Sequence, residues 1–429
     1  MARIEIGRVA DDVRSLTRPL MSDHNLSARV WATAAVVIVP FLGVTAVGWW
    51  LPVHLAMLGA ASQAIVGGQL MFSTTLALAR GPARSHTLLQ LALLNTGAVL
   101  VVGGRLWSAP PLLATGASIF LVVICWVAWQ VLAVWRTAAN RRFAVTSTFY
   151  LLAALSIVIG GSIGAALGIG AFDDPASYLA HRSVHMAFNI LGWAGMTIVG
   201  TAVTLLPTIM HVRAPKLGAV RPIPWLMFGG LLVLSTGATF DMYALGGIGM
   251  LLYAAGLASF ATYLRTIVTT PRRRQVPTAA LHLIAALAWC AVTTIGVVVT
   301  FASNEVSATR HILVVGGAAG FVFQALLGAW SFLLPSTRPP DPDRRRRELV
   351  AMEIGGRTQV VTYNLGLILV LIGLLTEIDS SLAGIVVAWS AAAWTIAKTW
   401  TFPGLARLRS VDARARTWWA VPEQPTRAE

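Results

Sequence analysis

The chain has 429 residues, 56% of them hydrophobic and only 11% charged, with a mean hydropathy of +0.73. A soluble domain carries about a quarter charged residues, so this composition cannot cover a water-facing surface, and lipid must cover it instead. The formal net charge of +15 does not point to nucleic acid, because the basic residues sit in short gaps between apolar runs, where they act as topology signals.

Residues 1–28 mix Arg3, Arg8, Arg14 and Arg18 with Glu5, Asp11, Asp12 and Asp23 and contain no short apolar core with a cleavage site. They read as a cytoplasmic N-terminal segment rather than a signal peptide. A spanning helix needs about 20 mostly apolar residues. Runs of that kind lie near 29–49, 52–79, 86–104, 111–135, 143–170, 182–210, 224–240, 242–268, 278–302, 309–335, 359–378 and 382–402. Only Phe240-Asp241-Met242 separates the seventh run from the eighth. Residues 29–403 are therefore expected to form one all-α polytopic domain of about twelve transmembrane helices, followed by a cytoplasmic tail over 404–429. Cys125 and Cys290 both fall inside apolar runs, and neither supports a disulfide framework or a C-x-x-C-H haem attachment.

Charge sets the expected orientation. Alternate gaps hold Arg80 and Arg84; Arg136, Arg141 and Arg142; Arg213, Lys216 and Arg221; Arg272 to Arg274; Arg344 to Arg347; and Arg407, Arg409, Arg414 and Arg416. The other gaps hold Arg105, then Asp173 and Asp174, Asp241, Glu305 with Arg310, and Glu377 with Asp379. Cytoplasmic loops collect Lys and Arg, so both ends are expected in the cytoplasm. The basic stretch Arg338 to Arg347 reads as a topology anchor that also touches anionic lipid.

An internal repeat runs through the second, sixth and tenth spans. Gly59, Gln63 and Gly67 in the second span match Gly320, Gln324 and Gly328 in the tenth as G-x-x-x-Q-A-h-h-G, where h is aliphatic. Gly192, Met196 and Gly200 in the sixth span keep the frame, and the sixth and tenth continue to Leu-Pro at Pro207 and Pro335. A period of four helices predicts three four-helix arcs around a pseudo-threefold axis. The glycines fall on one helix face, where backbones can approach closely, and Gln63 and Gln324 need partners across helices.

Four of the eight histidines begin those three spans: His54, His181 and His185, and His311. All lie towards the outer end, and His181 and His185 share a helix face. Intramembrane ionisable residues are costly, and neutral imidazole is a common ligand for haem iron, copper and zinc. Histidines at helix starts can also sit at the wet interface, and that alternative stays open for all four. His24, His86, His211 and His282 are read as interfacial.

Twelve helices, inward termini and histidines on spans two, six and ten resemble the haem-copper oxidase subunit I superfamily and its NnrS-like relatives. The strings His54-Leu-Ala-Met-Leu-Gly59, His185-Met-Ala-Phe-Asn189-Ile-Leu-Gly192-Trp193 and Gln324-Ala-Leu-Leu-Gly328-Ala-Trp-Ser331-Phe-Leu-Leu-Pro335 also look like the membrane portion of actinobacterial copper oxidases. The resemblance implies a bacterial plasma membrane, His54 and His311 as axial ligands of a haem b, and His185, with His181, as copper-ligand candidates. The chain departs from the pattern in two places. The seventh span has no histidine pair and the tenth has no H-x-H, so a complete oxygen-reducing centre is not expected, nor is a soluble copper domain after the twelfth span.

The expected function is a haem- or copper-binding membrane protein serving electron transfer, metal handling or a nitrosative or copper stress response, with an electron-transfer or copper-handling partner. The alternatives are a secondary transporter and a non-catalytic scaffold or assembly subunit. No Asp or Glu lies mid-span, which disfavours an ion-coupled carrier. No nucleophile–base pair, phosphate loop or zinc motif marks an enzyme.

Overall fold

The computed structural model describes residues 21–44, 47–270, 276–303, 305–339, 341–376 and 378–418. The charged residues before Met21, the run Arg272 to Arg274, Glu377 and the end of the tail lie outside the described residues. Twelve helices are long and apolar enough to cross a membrane. They are α1 (Met21–Leu42), α2 (Trp50–Ala77), α3 (Arg84–Leu106), α4 (Pro110–Arg136), α5 (Ala144–Gly168), α6 (Pro175–Ile209), α7 (Ile223–Thr239), α8 (Tyr243–Thr269), α9 (Thr278–Ala302), α10 (Thr309–Thr337), α12 (Gly356–Leu375) and α13 (Ser381–Leu405). Two shorter helices, α11 (Pro342–Glu353) and α14 (Arg409–Trp418), pack together beside the basic loops. No strand occurs among the described residues. The protein is an all-α polytopic membrane protein.

Hydropathy misplaced a few boundaries. The first helix already includes Met21 to Ala28, and His24, Asn25 and Ala28 in that stretch are buried. Those residues belong to the packed bundle and not to a separate lead-in. The sixth helix starts at Pro175, capped by Asp174, whose carboxylate accepts from the Ser177 N–H at 2.7 Å. The break at Asp241 is a turn in which that residue takes φ 55°, a left-handed conformation that a short polar side chain tolerates.

Helices α2, α6 and α10 form the centre. The share of their most apolar stretch buried inside the protein is 56%, 89% and 72%, and they touch one another pairwise. Trp193 Nε1 donates to Ser62 Oγ at 3.1 Å, and Gln69 Nε2 to Thr197 Oγ1 at 3.0 Å, tying α6 to α2. The other spans wrap this core and turn residues such as Val122, Trp129, Ile295 and Leu382 outward, as a lipid-facing surface requires.

The four-helix repeat extends well beyond the central glycines. Each stripe packs against the helix before it: a Cβ on Gly59, Gly192 or Gly320 would fall 2.4–2.6 Å from Trp31, Ser156 or Trp289. On Gly67, Gly200 or Gly328 it would fall 2.5–2.8 Å from His24, Phe149 or His282. The third helix of each unit carries its own glycines, Gly97 and Gly104, Gly230 and Gly237, Gly366 and Gly373, each abutting backbone or a serine of the fourth helix. Two residues before the first of these stand Asn95, Phe228 and Asn364. Asn95 Oδ1 accepts from Trp31 Nε1 at 2.7 Å, and Asn364 Oδ1 accepts from Trp289 Nε1 at 2.7 Å. The first and third units thus share a partly buried Trp–Asn bond, while the middle unit holds Ser156 and Phe228 instead.

All three central helices contain a π-helical stretch around the first glycine: Leu55–Ala61, Phe188–Met196 and Ile312–Phe323. Such stretches are rare and concentrate at functional sites. Side chains supply extra donors to their carbonyls. Tyr253 OH donates to Leu191 O at 3.0 Å, Tyr363 OH to Ala319 O at 3.0 Å, and Ser62 Oγ to Met57 O at 2.9 Å. In a bilayer only neighbouring protein groups can do this.

Candidate functional site

The π-helical stretch begins immediately after His54 in α2 and His311 in α10, and three residues after His185 in α6. The fold therefore gathers candidate ligands at one end of the central helices, the end away from the basic loops.

There it places His54 against His185. Their ring centres are 6.3 Å apart and their planes differ by 10°. Trp50 also stacks on His54, with ring centres 3.9 Å apart. His54 Nδ1 lies 2.8 Å from the Trp50 carbonyl oxygen, and His185 Nδ1 lies 2.8 Å from the Gly160 carbonyl oxygen. A carbonyl only accepts, so in a neutral ring each Nδ1 carries the proton and each Nε2 keeps its lone pair. That is the tautomer of a metal-ligating histidine, fixed here by a backbone hydrogen bond. Asn189, one turn after His185, donates its amide to the His185 carbonyl at 2.6 Å and lies 3.2 Å from the same Nδ1. Gly164 on α5 makes room for the ring, since a Cβ there would fall 2.4 Å from it.

The other two histidines occupy different settings. His181 bonds locally, Nδ1 to the Ser177 carbonyl at 2.8 Å, and its ring lies on Phe172 with centres 4.0 Å apart. His311 has its Nε2 2.9 Å from an Arg310 guanidinium nitrogen. Among the described residues His54 makes ring contacts with Trp50 and His185 and none with His311. Those residues also contain no cluster of three or more His, Cys, Asp or Glu able to hold a metal, so an ion at this pair would take two imidazoles from this site.

One arginine acts on the pair and two others act on His311. Arg105 acts on His54, Arg182 and Arg310 act on His311, and Arg310 also acts on Arg182. None of the three forms an ion pair with a carboxylate among the described residues.

Two further histidines are not interfacial as the sequence suggested. His24 is 1% exposed and His282 fully buried, because each fills the space beside the second glycine of its stripe. His24 Nδ1 bonds Gln63 Oε1 at 2.8 Å. The signal was present in the chain as a repeated spacing, His24 with Trp31 and His282 with Trp289.

No protein-family model matches the chain, and no curated protein matches it.

Proposed function

We propose that this is a membrane metalloprotein, binding haem b or copper between α2 and α6 and serving electron transfer or metal handling in a bacterial plasma membrane. The observation that carries this reading is the pair His54 and His185, with near-parallel rings and both Nδ1 atoms committed to backbone carbonyls. Two neutral imidazoles with free Nε2 lone pairs suit haem iron or copper. An ion bonded at roughly 2 Å to both Nε2 atoms would require their lone pairs, which lie in the ring planes, to converge on one point. Arg105, which acts on His54 and forms no ion pair with a carboxylate among the described residues, favours a ligand that brings its own carboxylates. Haem b does so and bare copper does not. When bound, the metal would supply one-electron chemistry or be the cargo itself. The protein's part is to set the two tautomers, hold the rings through Trp50, Gly160 and Gly164, and place the Arg105 cation near His54.

An absorption spectrum of the purified protein, oxidised and dithionite-reduced, with bound copper measured in parallel, tests this. His54→Ala or His185→Ala should remove or alter the signal, and His86→Ala, at the opposite end of the spans, should leave it intact. Loss of signal in His311→Ala but not in His185→Ala would instead select the ligand pair that the family resemblance implies. A wild-type protein made with ample haem and copper that shows neither a Soret band nor bound copper would sink the proposal.

A further inference from the structure

The third four-helix unit buries a polar pair that the first unit also buries but joins differently. In the first, His24 on α1 and Gln63 on α2 bond directly at 2.8 Å. His282 on α9 corresponds to His24, since each lies against the second stripe glycine, Gly328 or Gly67. Gln324 on α10 corresponds to Gln63 by the shared G-x-x-x-Q frame. His282 and Gln324 are both 0% exposed. Yet both ring nitrogens of His282 and both polar atoms of the Gln324 amide have no hydrogen-bond partner among the described residues. A neutral imidazole offers one donor and one acceptor, and an amide offers two donors and an acceptor. Lipid tails cannot satisfy them. The middle unit shows the apolar solution at the same two positions, Phe149 and Met196, both fully buried. The third unit keeps the polar residues instead.

We propose that His282 and Gln324 form a binding site between α9 and α10 for a small neutral hydrogen-bonding ligand, namely one or two water molecules. Charge disfavours an ion at this site. The field of Lys398 reaches His282 and repels a cation. An anion would need the Lys398 ammonium, whose three donors already go to Met352 O at 2.8 Å, Ile354 O at 2.8 Å and Gln359 Oε1 at 3.0 Å. Water both donates and accepts, and a buried water typically makes two to four such bonds. The approach to α9 from the side of the basic loops is open to solvent near Thr278. An open cavity of about 230 Å³ is lined there by Glu353, Gly355, Gly356 and Arg357. The Glu353 carboxylate accepts from Thr278 N and Thr278 Oγ1 at 2.9 and 2.6 Å, one helical turn before His282.

Hydroxyl-radical footprinting of the full chain in lipid nanodiscs tests the site, because radicals formed from bound water label the side chains beside it. His282 should be oxidised well above background, while Met196 stays unlabelled in its dry counterpart position, although methionine is the more easily oxidised residue. The double variant His282→Phe with Gln324→Met transplants the middle unit's pair. It should lose label at this position and melt above either single variant, each of which strands one polar partner. Labelling of His282 no stronger than that of Met196 would overturn the proposal and indicate a direct bond as in the first unit. So would a double variant that melts below both single ones.

Discussion

Gly164 shows how one missing methyl group holds the candidate site together. A Cβ at that position would fall 2.4 Å from His185 Nδ1, and the ring cannot simply retreat because Nδ1 is bonded to Gly160 O at 2.8 Å. Gly164→Ala should therefore displace the ring and lower metal or haem content per protein. Gly229→Ala, where nothing lies within 4 Å, should leave it unchanged. Equal cofactor content in the two variants would mean that His185 is not a ligand. At this scale the sequence shows which histidines enter the membrane, because hydropathy places them within spans. It does not show which rings meet, because that depends on how each helix is rotated. His54 lies against His185, whereas the order of spans and the family resemblance suggested His311. His24 and His282 looked interfacial and are buried, because depth along a helix carries no information about the face a residue occupies.

The π-helical stretches lie where those rings meet, and two of their carbonyls take donors from tyrosines on other helices. Tyr253→Phe and Tyr363→Phe each remove the donor to such a carbonyl, Leu191 O or Ala319 O. Intramembrane side-chain hydrogen bonds contribute roughly 0.6 kcal/mol each and rarely more than about 1.7. Each variant should therefore melt slightly lower, and the double variant lower by about the sum, since the tyrosines lie on different helices. Unchanged melting in both would show that the carbonyls find other partners. The surface helix α11 depends on Asp341, whose carboxylate accepts from the N–H groups of Asp343 at 3.1 Å and Arg344 at 3.0 Å. The bond from the Arg344 N–H, together with nearby arginine charge, holds its pKa below the usual value, against a weaker opposing effect of burial. A depressed pKa stabilises the folded end above the ordinary carboxylate range and is lost as pH falls through the depressed value. Proteolysis within Arg344 to Arg347 by an acid-active protease should rise as pH falls through that range in the wild type. Asp341→Ala should already be sensitive to trypsin at neutral pH. A wild type and Asp341→Ala of equal sensitivity at neutral pH would remove the cap from the account. The sequence marks this cap as an Asp followed by Pro at the first helical position, whereas nothing in it announces a π turn.

For the whole molecule, the twelve candidate spans among the described residues are an even number, and the positive-inside rule predicts that both ends face the cytoplasm. A reporter fused after Arg142 should read cytoplasm and one at Asp174 exterior. A cytoplasmic signal at Asp174 would overturn the orientation and the helix count before it. The number of spans, their order and the period of the central glycines follow from the sequence alone. Each rests on a property summed over neighbouring residues, burial of an unsatisfied backbone in lipid being too costly for any other arrangement. Only the tertiary structure decided how the four-helix units differ inside. The Trp31–Asn95 and Trp289–Asn364 bonds, the His24–Gln63 pair and the His54–His185 contact each join residues on different helices. Those meetings are set by helix rotation and by glycine-permitted closeness, which no local pattern of hydrophobicity encodes.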